Sequence, residues 1–362
     1  MVLGASVTVA DLEGDPHALL AQLREQEPVA WLPAIDGWLV TRRDLALEAM
    51  RDAGRFTVHD PRFTTAQVVG ESMLSLDGAE HARHRAPFVA PLRLGEVRRR
   101  LADAVAAEAE RLADELAPHG EAELRRGFAG PLAAAAVTHA LGLDGASTGA
   151  VLGWYDAIVA AVTDLSAGRP AGPDAARAVE ELGAAVDLDA AGLSAAEVRS
   201  NVAVLLFGGI ETTEGMIANA LLHVLAQPVA REQLPAAVEE SLRLEPAAAV
   251  IDRYATGDTS LGGAEIAAGD LVRISITAAN RDPAVFPEPD RFDPSRENAG
   301  RHLAFAAGPH VCVGMHLARL EAHVALATLL ERLPGLELAR PAEIRGLIFR
   351  KPPELWCRWA AS

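Results

Sequence analysis

The sequence predicts a mainly helical fold with a small β region. Three observations carry this. Long Ala/Leu-rich runs, with apolar residues at helical spacing, cover 97–117, 128–141, 149–165, 173–186 and 194–227. Strand-like stretches are few and short: 29–32, 38–41, a hairpin-like pair within 261–280, and 345–360. The stretch RDPAVFPEPDRFDPSR has no period, and so long a loop in a compact domain is functional or strongly braced.

Composition sets the bounds. The chain has 362 residues, 50% of them hydrophobic, so a large core is available and length alone allows two domains. A net charge of −17 disfavours nucleic acid as a partner. Two cysteines, Cys312 and Cys357, form no disulfide framework, which fits a reducing compartment. Cys357, in the alternating stretch ELWCRW, is expected to be structural. The first residues have no basic n-region, and the apolar run 202–210 is too short to span a bilayer. The expectation is a soluble, cytoplasmic protein.

The elements follow in order. Residues 15–27 form a short helix with Leu19, Leu20 and Leu23 on one face. A turn at Asp36-Gly37 separates the first two strands, and 43–53 is a second helix ending at Gly54. Residues 57–76 are irregular. In LDGAEHARHRAPF, Asp77 is a candidate N-cap with Glu80 as its capping-box partner. His81 and Arg85, four apart, share a face; taken alone they mark a solvated helix start. Arg93 and the run Arg98, Arg99, Arg100 read as a solvated charged face.

Ser194 caps the long helix 194–227, whose middle reads LLFGGIETTEG. Two adjacent glycines inside a helix cost about 1 kcal/mol each. Glu211 and Thr212 follow in apolar surroundings, and Glu is seldom buried unpaired. Pro235 opens the next helix. There Glu240 and Arg243, at i and i+3, can pair, a spacing common on surfaces.

The chain is organised around 305–314, FAAGPHVCVG, which runs into the helix MHLARLEAHVALATLLERL. Leu317, Leu320, Val324, Ala327 and Leu330 give that helix one apolar face. Cys312 lies near its N-terminus, where free N–H groups and the dipole favour a thiolate, and a thiolate is a metal ligand. Gly308 and Gly314 remove side chains on both sides of the sulfur, which would let a large flat cofactor approach. A lone Cys is otherwise a small buried hydrophobe.

The order Phe305, Gly308, His310, Cys312, Gly314 resembles the haem-binding loop of the cytochrome P-450 family. Ala306 departs from the family's usual glycine. Three further elements resemble the family in its order: the haem-flanking helix around His81 and Arg85, the Gly-Gly-x-Glu-Thr helix, and the Glu–Arg helix. The resemblance runs from about Asp15 to the end. It implies one domain over 1–362, with the cytochrome P-450 fold, a helical triangular prism with a small β region.

The resemblance also implies roles. Haem b would be held by the Cys312 thiolate, which favours O–O cleavage. Phe305, Gly314 and Gly208 would line the cofactor, and His81, Arg85, Arg253 and His310 would bind its propionates. Glu211 and Thr212 would deliver protons. Val68, Leu74, Val159, Ala248, Val250, Ile251, Ile348 and Phe349 would line the substrate pocket. Glu240, Arg243 and Arg291 would brace the irregular stretch before the Cys loop. A ferredoxin-type donor would dock near Arg93, Arg98, Arg99 and Arg100. Helices common in the family look absent near 186–194 and 227–235.

The expected activity is oxidation of a small apolar or amphipathic metabolite with O2, by hydroxylation, epoxidation or oxidative coupling. Rival readings on the same fold are a peroxide-driven peroxygenase, against which the Glu211–Thr212 pair speaks, and a non-catalytic haem sensor.

Overall fold

Val29–Leu32 and Gly37–Val40 pair antiparallel across a turn at Asp36, whose φ of 46° is left-handed. Gly37–Val40 then runs parallel to Leu271–Ser275, which pairs antiparallel with Val250–Ala255. Phe56–Thr57 closes the edge of this five-stranded sheet. The computed structural model describes residues 3–143, 145–166, 168–186 and 190–361.

The chain folds into two compact units, one of 1–57, 215–312 and 336–358, the other of 58–214, 313–335 and 359–362. The first holds the sheet. One of its cores packs Val40, Met50, Phe56, Val272 and Ile274 with Leu303, so the chain entering the Cys loop is anchored on the sheet. A second core sets Leu20 and Leu23 of helix His17–Gln26 against Leu32 and Leu39. The hairpin expected within 261–280 is corrected: Ala264–Ile266 pairs with Thr259–Leu261, while Leu271–Ser275 joins the five-stranded sheet. Cys357, fully buried, lies opposite Leu338 in a short antiparallel pair, as its structural reading requires.

The second unit is helical. Helix Thr148–Ser166 packs on Asp174–Ala185 and on Gly130–Leu141, and Met315–Arg332 packs on Ala102–Leu116. The long helix is Ala195–Ala226; it begins in this unit and ends in the first. Ser194 caps it as expected: Glu197 N donates to Ser194 Oγ, and Ser194 N donates to the Glu197 carboxylate.

Several expectations change. A helix, Thr64–Val69, lies inside the stretch read as irregular. Asp77 precedes helix Gly78–Val89 but does not cap it; its carboxylate accepts from Val58 N at 2.9 Å, and Glu80 pairs with Arg83. Of the five residues expected on the apolar face of Met315–Arg332, only Leu317 is buried. The buried set is Leu317, Glu321, Ala322, Ala325, Leu326 and Leu329, because three other helices pack on this one. Between 186 and 194, residues 187–189 lie outside the described residues. Within 227–235 the chain makes a 3-10 turn at Arg231–Gln233 before helix Leu234–Leu244.

Candidate active site

The Cys loop is built from its two ends. Leu303 N donates to Asn280 Oδ1 at 2.6 Å, and Ala306 N donates to Leu303 O at 2.8 Å. Cys312 N donates to Phe305 O at 2.9 Å, which closes the loop. The Cys312 thiol is exposed, and helix Met315–Arg332 begins just beyond it, with Gly314 as N-cap. Ala306 takes φ 57°, a left-handed backbone that favours glycine, despite its methyl group. Gly308 has φ 74°, and a Cβ there would stand 2.6 Å from Met50 O. The neighbouring helix Arg43–Arg51 therefore demands a glycine at this position.

Behind this loop stands a buried charge cluster. Arg243 donates to both oxygens of Glu240, at 2.8 and 2.7 Å, and to the carbonyls of Asn280, Pro289 and Arg291. Arg243 and Glu240 are fully buried. The third side chain is Arg296, whose Nε donates to Glu240 Oε1 at 3.0 Å. The expectation of Arg291 is corrected: its guanidinium is 58% exposed, pairs with Glu288 and Asp293, and only its carbonyl joins the cluster. Arg296 reaches the acid because it too is held by carbonyls, those of Pro287, Glu288 and Arg291.

In the same unit, Arg253 is buried on strand Val250–Ala255, while its neighbour Asp252 is held by Arg273 at 2.7 Å. His310 is half-buried in the 3-10 turn Gly308–His310. Ala248 and Phe349 form an isolated bridge, and Ala249 N donates to Ile348 O at 2.9 Å, so three expected pocket residues are neighbours. Ile251 packs on the sheet core, and Val250 lines a small cleft with Leu12, Pro16 and Leu20.

In the helical unit, His81 is buried and Arg85 half-buried on helix Gly78–Val89. Val68, Leu74 and Val159 are half-buried, the first and last on helices that pack together. Arg93, Arg98, Arg99 and Arg100 are all exposed, and Arg99 pairs with Glu96.

The two glycines of the long helix differ. A Cβ at Gly208 would meet nothing within 4 Å, whereas one at Gly209 would meet Val137 Cγ2 at 2.6 Å. Gly209 serves helix packing; Gly208 alone faces open space. The Thr212 hydroxyl donates to Gly208 O at 2.6 Å. Glu211, 5% exposed, accepts from the Tyr155 hydroxyl. One turn on, Glu214 accepts from Arg125 and lies 3.7 Å from Arg126. Sequence reasoning missed Tyr155, Arg125, Arg126 and Glu214. Two acids three residues apart in an apolar helix were the available signal, since each needs a partner.

Among the described residues no three His, Cys, Asp or Glu side chains cluster as a metal site. A single exposed thiol instead suits an iron whose remaining ligands would come mainly from a porphyrin. Arginines and histidines suit its two carboxylates. The donor set therefore fits haem. Among the described residues no helix is long and apolar enough to cross a membrane.

The comparisons agree. The Cytochrome P450 family model matches residues 230–334. The chain is 34% identical to 20-oxo-5-O-mycaminosyltylactone 23-monooxygenase of Streptomyces fradiae, over 92% of this chain and 85% of that one. It is 35% identical to nocardicin C N-oxygenase of Nocardia uniformis subsp. tsuyamanensis, over 96% and 97%. It superposes on CxnD, a cytochrome P450 enzyme for C–S bond formation in chuangxinmycin biosynthesis. There the TM-score is 0.85 and the identity 27%, over 99% of each chain. The chain belongs to the cytochrome P450 family and has its fold. It is an oxidoreductase of the monooxygenase class, and haem is its cofactor.

Proposed function

We propose that this enzyme uses two electrons from a ferredoxin-type donor and O2 to oxidise a small apolar or amphipathic secondary metabolite. Hydroxylation, epoxidation and oxidative coupling are the reaction types within reach. The relatives support this range, since they include a 23-monooxygenase, an N-oxygenase and an enzyme of C–S bond formation.

The observation that carries the reading is the exposed Cys312 thiol on a loop closed by its own N–H and anchored at Leu303. Haem bound there supplies dioxygen activation, which a thiolate ligand promotes. In this proposal Cys312 is that ligand. His81, Arg85, Arg253 and His310 offset the charge of the cofactor's carboxylates, with Phe305, Gly208 and Gly314 against its surface. Thr212 holds a proton at Oγ1, which a hydroxyl can both give and take. Glu211 replenishes that proton from the solvent side. The electron donor docks on Arg93, Arg98, Arg99 and Arg100. Val68, Leu74, Val159, Ala248, Val250, Ile251, Ile348 and Phe349 surround the substrate, and apolar side chains there exclude water.

The test has two arms. The reduced, carbon-monoxide-treated protein should show the red-shifted absorption band of a thiolate-ligated haem, and Cys312→His should abolish it; retention of the band in Cys312→Ala would refute the ligand. Thr212→Ala should keep haem but lower product formation by about 10²-fold, the usual contribution of a proton-transfer group. Hydrogen peroxide should rise in its place. Turnover driven by a reductase system, compared with turnover driven by peroxide, separates this reading from a peroxygenase.

A further inference from the structure

The stretch before helix Gly78–Val89 is seated on the long helix. A Cβ at Gly70, whose φ is 86°, would stand 2.7 Å from Ser200 Oγ, so loop and helix meet closely there. Three residues on, Met73 N donates to Asn201 Oδ1 at 2.8 Å, and both residues are buried. Asn201 is held in turn. Its Nδ2 donates to Glu197 O at 2.7 Å and faces His84 Nδ1 at 2.9 Å. Met73 N–H can only donate and Glu197 O can only accept, so the orientation of the Asn201 amide is fixed, and His84 Nδ1 accepts its second hydrogen. His84, on Gly78–Val89, is 2% exposed, and its Nε2 lies 3.3 Å from Glu197 Oε1. One side-chain amide thus joins a loop to two helices.

The loop is also braced from within. Ser72 N donates to Ser75 Oγ at 3.1 Å, Leu74 N to Ser72 Oγ at 3.3 Å, and Ser75 N to Ser72 O at 3.0 Å. Ser72, Met73, Ser75 and Leu76 are buried, and Leu74 between them is half-buried. Leu74 is therefore the side chain that this turn presents. Asn201 in turn heads a face of the long helix: Leu205, Gly208 and Thr212 follow at i+4, i+7 and i+11, each half-buried. The loop is fixed at the head of the face that carries the Thr212 hydroxyl.

We propose that Asn201 is a specificity-determining positioning residue: its side-chain amide locks residues 70–76 to the long helix and so holds Leu74 as a fixed apolar wall of the substrate site. This rests on the reading of Leu74 as a pocket residue and adds to it the group that keeps it in place. A wall set before binding needs no ordering when a ligand arrives, so a ligand that reaches it binds more tightly than it would against a loose loop.

The test uses the haem-loaded protein and two probes that ligate iron: imidazole, and the bulky triaryl azole clotrimazole. Each is titrated by the shift of the haem absorption band. Asn201→Ala should weaken clotrimazole by about tenfold, the order set by one buried hydrogen bond, and leave imidazole, too small to reach the wall, unchanged. In a Leu74→Ala background the same substitution should add less than about twofold, because its effect runs through Leu74. Hydrogen exchange supplies an arm that needs no variant. In the wild-type protein the Met73 amide, although in a loop, should exchange as slowly as the helix amides around Asn201. Exchange of Met73 at the rate of exposed loop amides overturns the proposal. An unchanged clotrimazole affinity in Asn201→Ala also overturns it, as does an equal loss for both azoles, which would leave Asn201 as a tie between elements. If Met73 is protected but Leu74→Ala itself leaves clotrimazole binding unchanged, the pocket reading of Leu74 has failed, and the specificity role of Asn201 falls with it.

Discussion

Arg296 Nε donates to Glu240 Oε1 at 3.0 Å, and the two side chains are 8% and 0% exposed. Glu240 already receives two bonds from Arg243, so one buried acid faces two buried cations. Removing Arg296 leaves the acid paired with Arg243 but strips it of one charge-assisted hydrogen bond, a loss of about 1.5–3 kcal/mol. Arg296→Leu should therefore lower the unfolding free energy by that amount and loosen haem retention. Arg291→Leu, at an exposed guanidinium, should cost less than about 1 kcal/mol. Denaturant titration of both variants checks the order; equal losses would return Arg291 to the cluster.

Gly208 and Gly209 should separate stability from activity. Gly209→Ala forces a methyl against Val137 Cγ2, and overpacking of this kind costs about 1–3 kcal/mol. Gly208→Ala meets nothing, so helix propensity should make it more stable by up to about 1 kcal/mol. Its methyl would occupy the open space beside the Thr212 hydroxyl's acceptor, so product formation should fall. Thermal midpoints and turnover, measured together, decide this.

Ala306 holds φ 57°, a backbone that costs an L-residue with a side chain about 1 kcal/mol or more. Ala306→Gly should raise stability by about 1 kcal/mol without moving the Cys loop. Chemical denaturation gives the first, and an unchanged haem absorption spectrum the second. A loss of stability would mean that the methyl's packing on the sheet core outweighs the strain.

The exposed arginines should act through rate. Reversing Arg98 and Arg100 to Glu should slow the first electron transfer from a ferredoxin by about tenfold or more at low salt, and less at high salt. A small chemical reductant should be unaffected. Arg99 is the poorer choice for reversal because it already pairs with Glu96 at 2.5 Å. Equal slowing with both reductants would place the docking face elsewhere.

Glu245 offers a pH test. Burial alone would raise its pKa, but His17 at 2.5 Å, with Arg281 and Arg350, holds it down to about 2 from 4.5. A carboxylate depressed in the folded state stabilises fully above its unfolded value, and the contribution is lost as pH falls through the folded one. Wild-type stability should therefore drop between about pH 4.5 and 2. Glu245→Gln should be less stable at neutral pH and flatter across that window, as read by urea titrations at several pH values.

What the sequence determined by itself is what lies within a few residues. The loop around Cys312, the Glu240–Arg243 pair and the Ser194 cap are set by short spacings and appear where the spacing puts them. Tertiary structure decided the choice among equivalent partners. Arg291 and Arg296 stand in one aperiodic loop, and only the carbonyls that grip Arg296 aim it at Glu240. Asp77 gave its carboxylate to Val58 rather than to its own helix. Gly209 was taken up by Val137 of another helix, leaving Gly208 alone beside open space. Glu211 found its donor in Tyr155, 56 residues earlier, on a helix whose own pattern marks no such role. A buried polar group must be paired, which the sequence makes plain; which distant group does the pairing depends on how the helices pack.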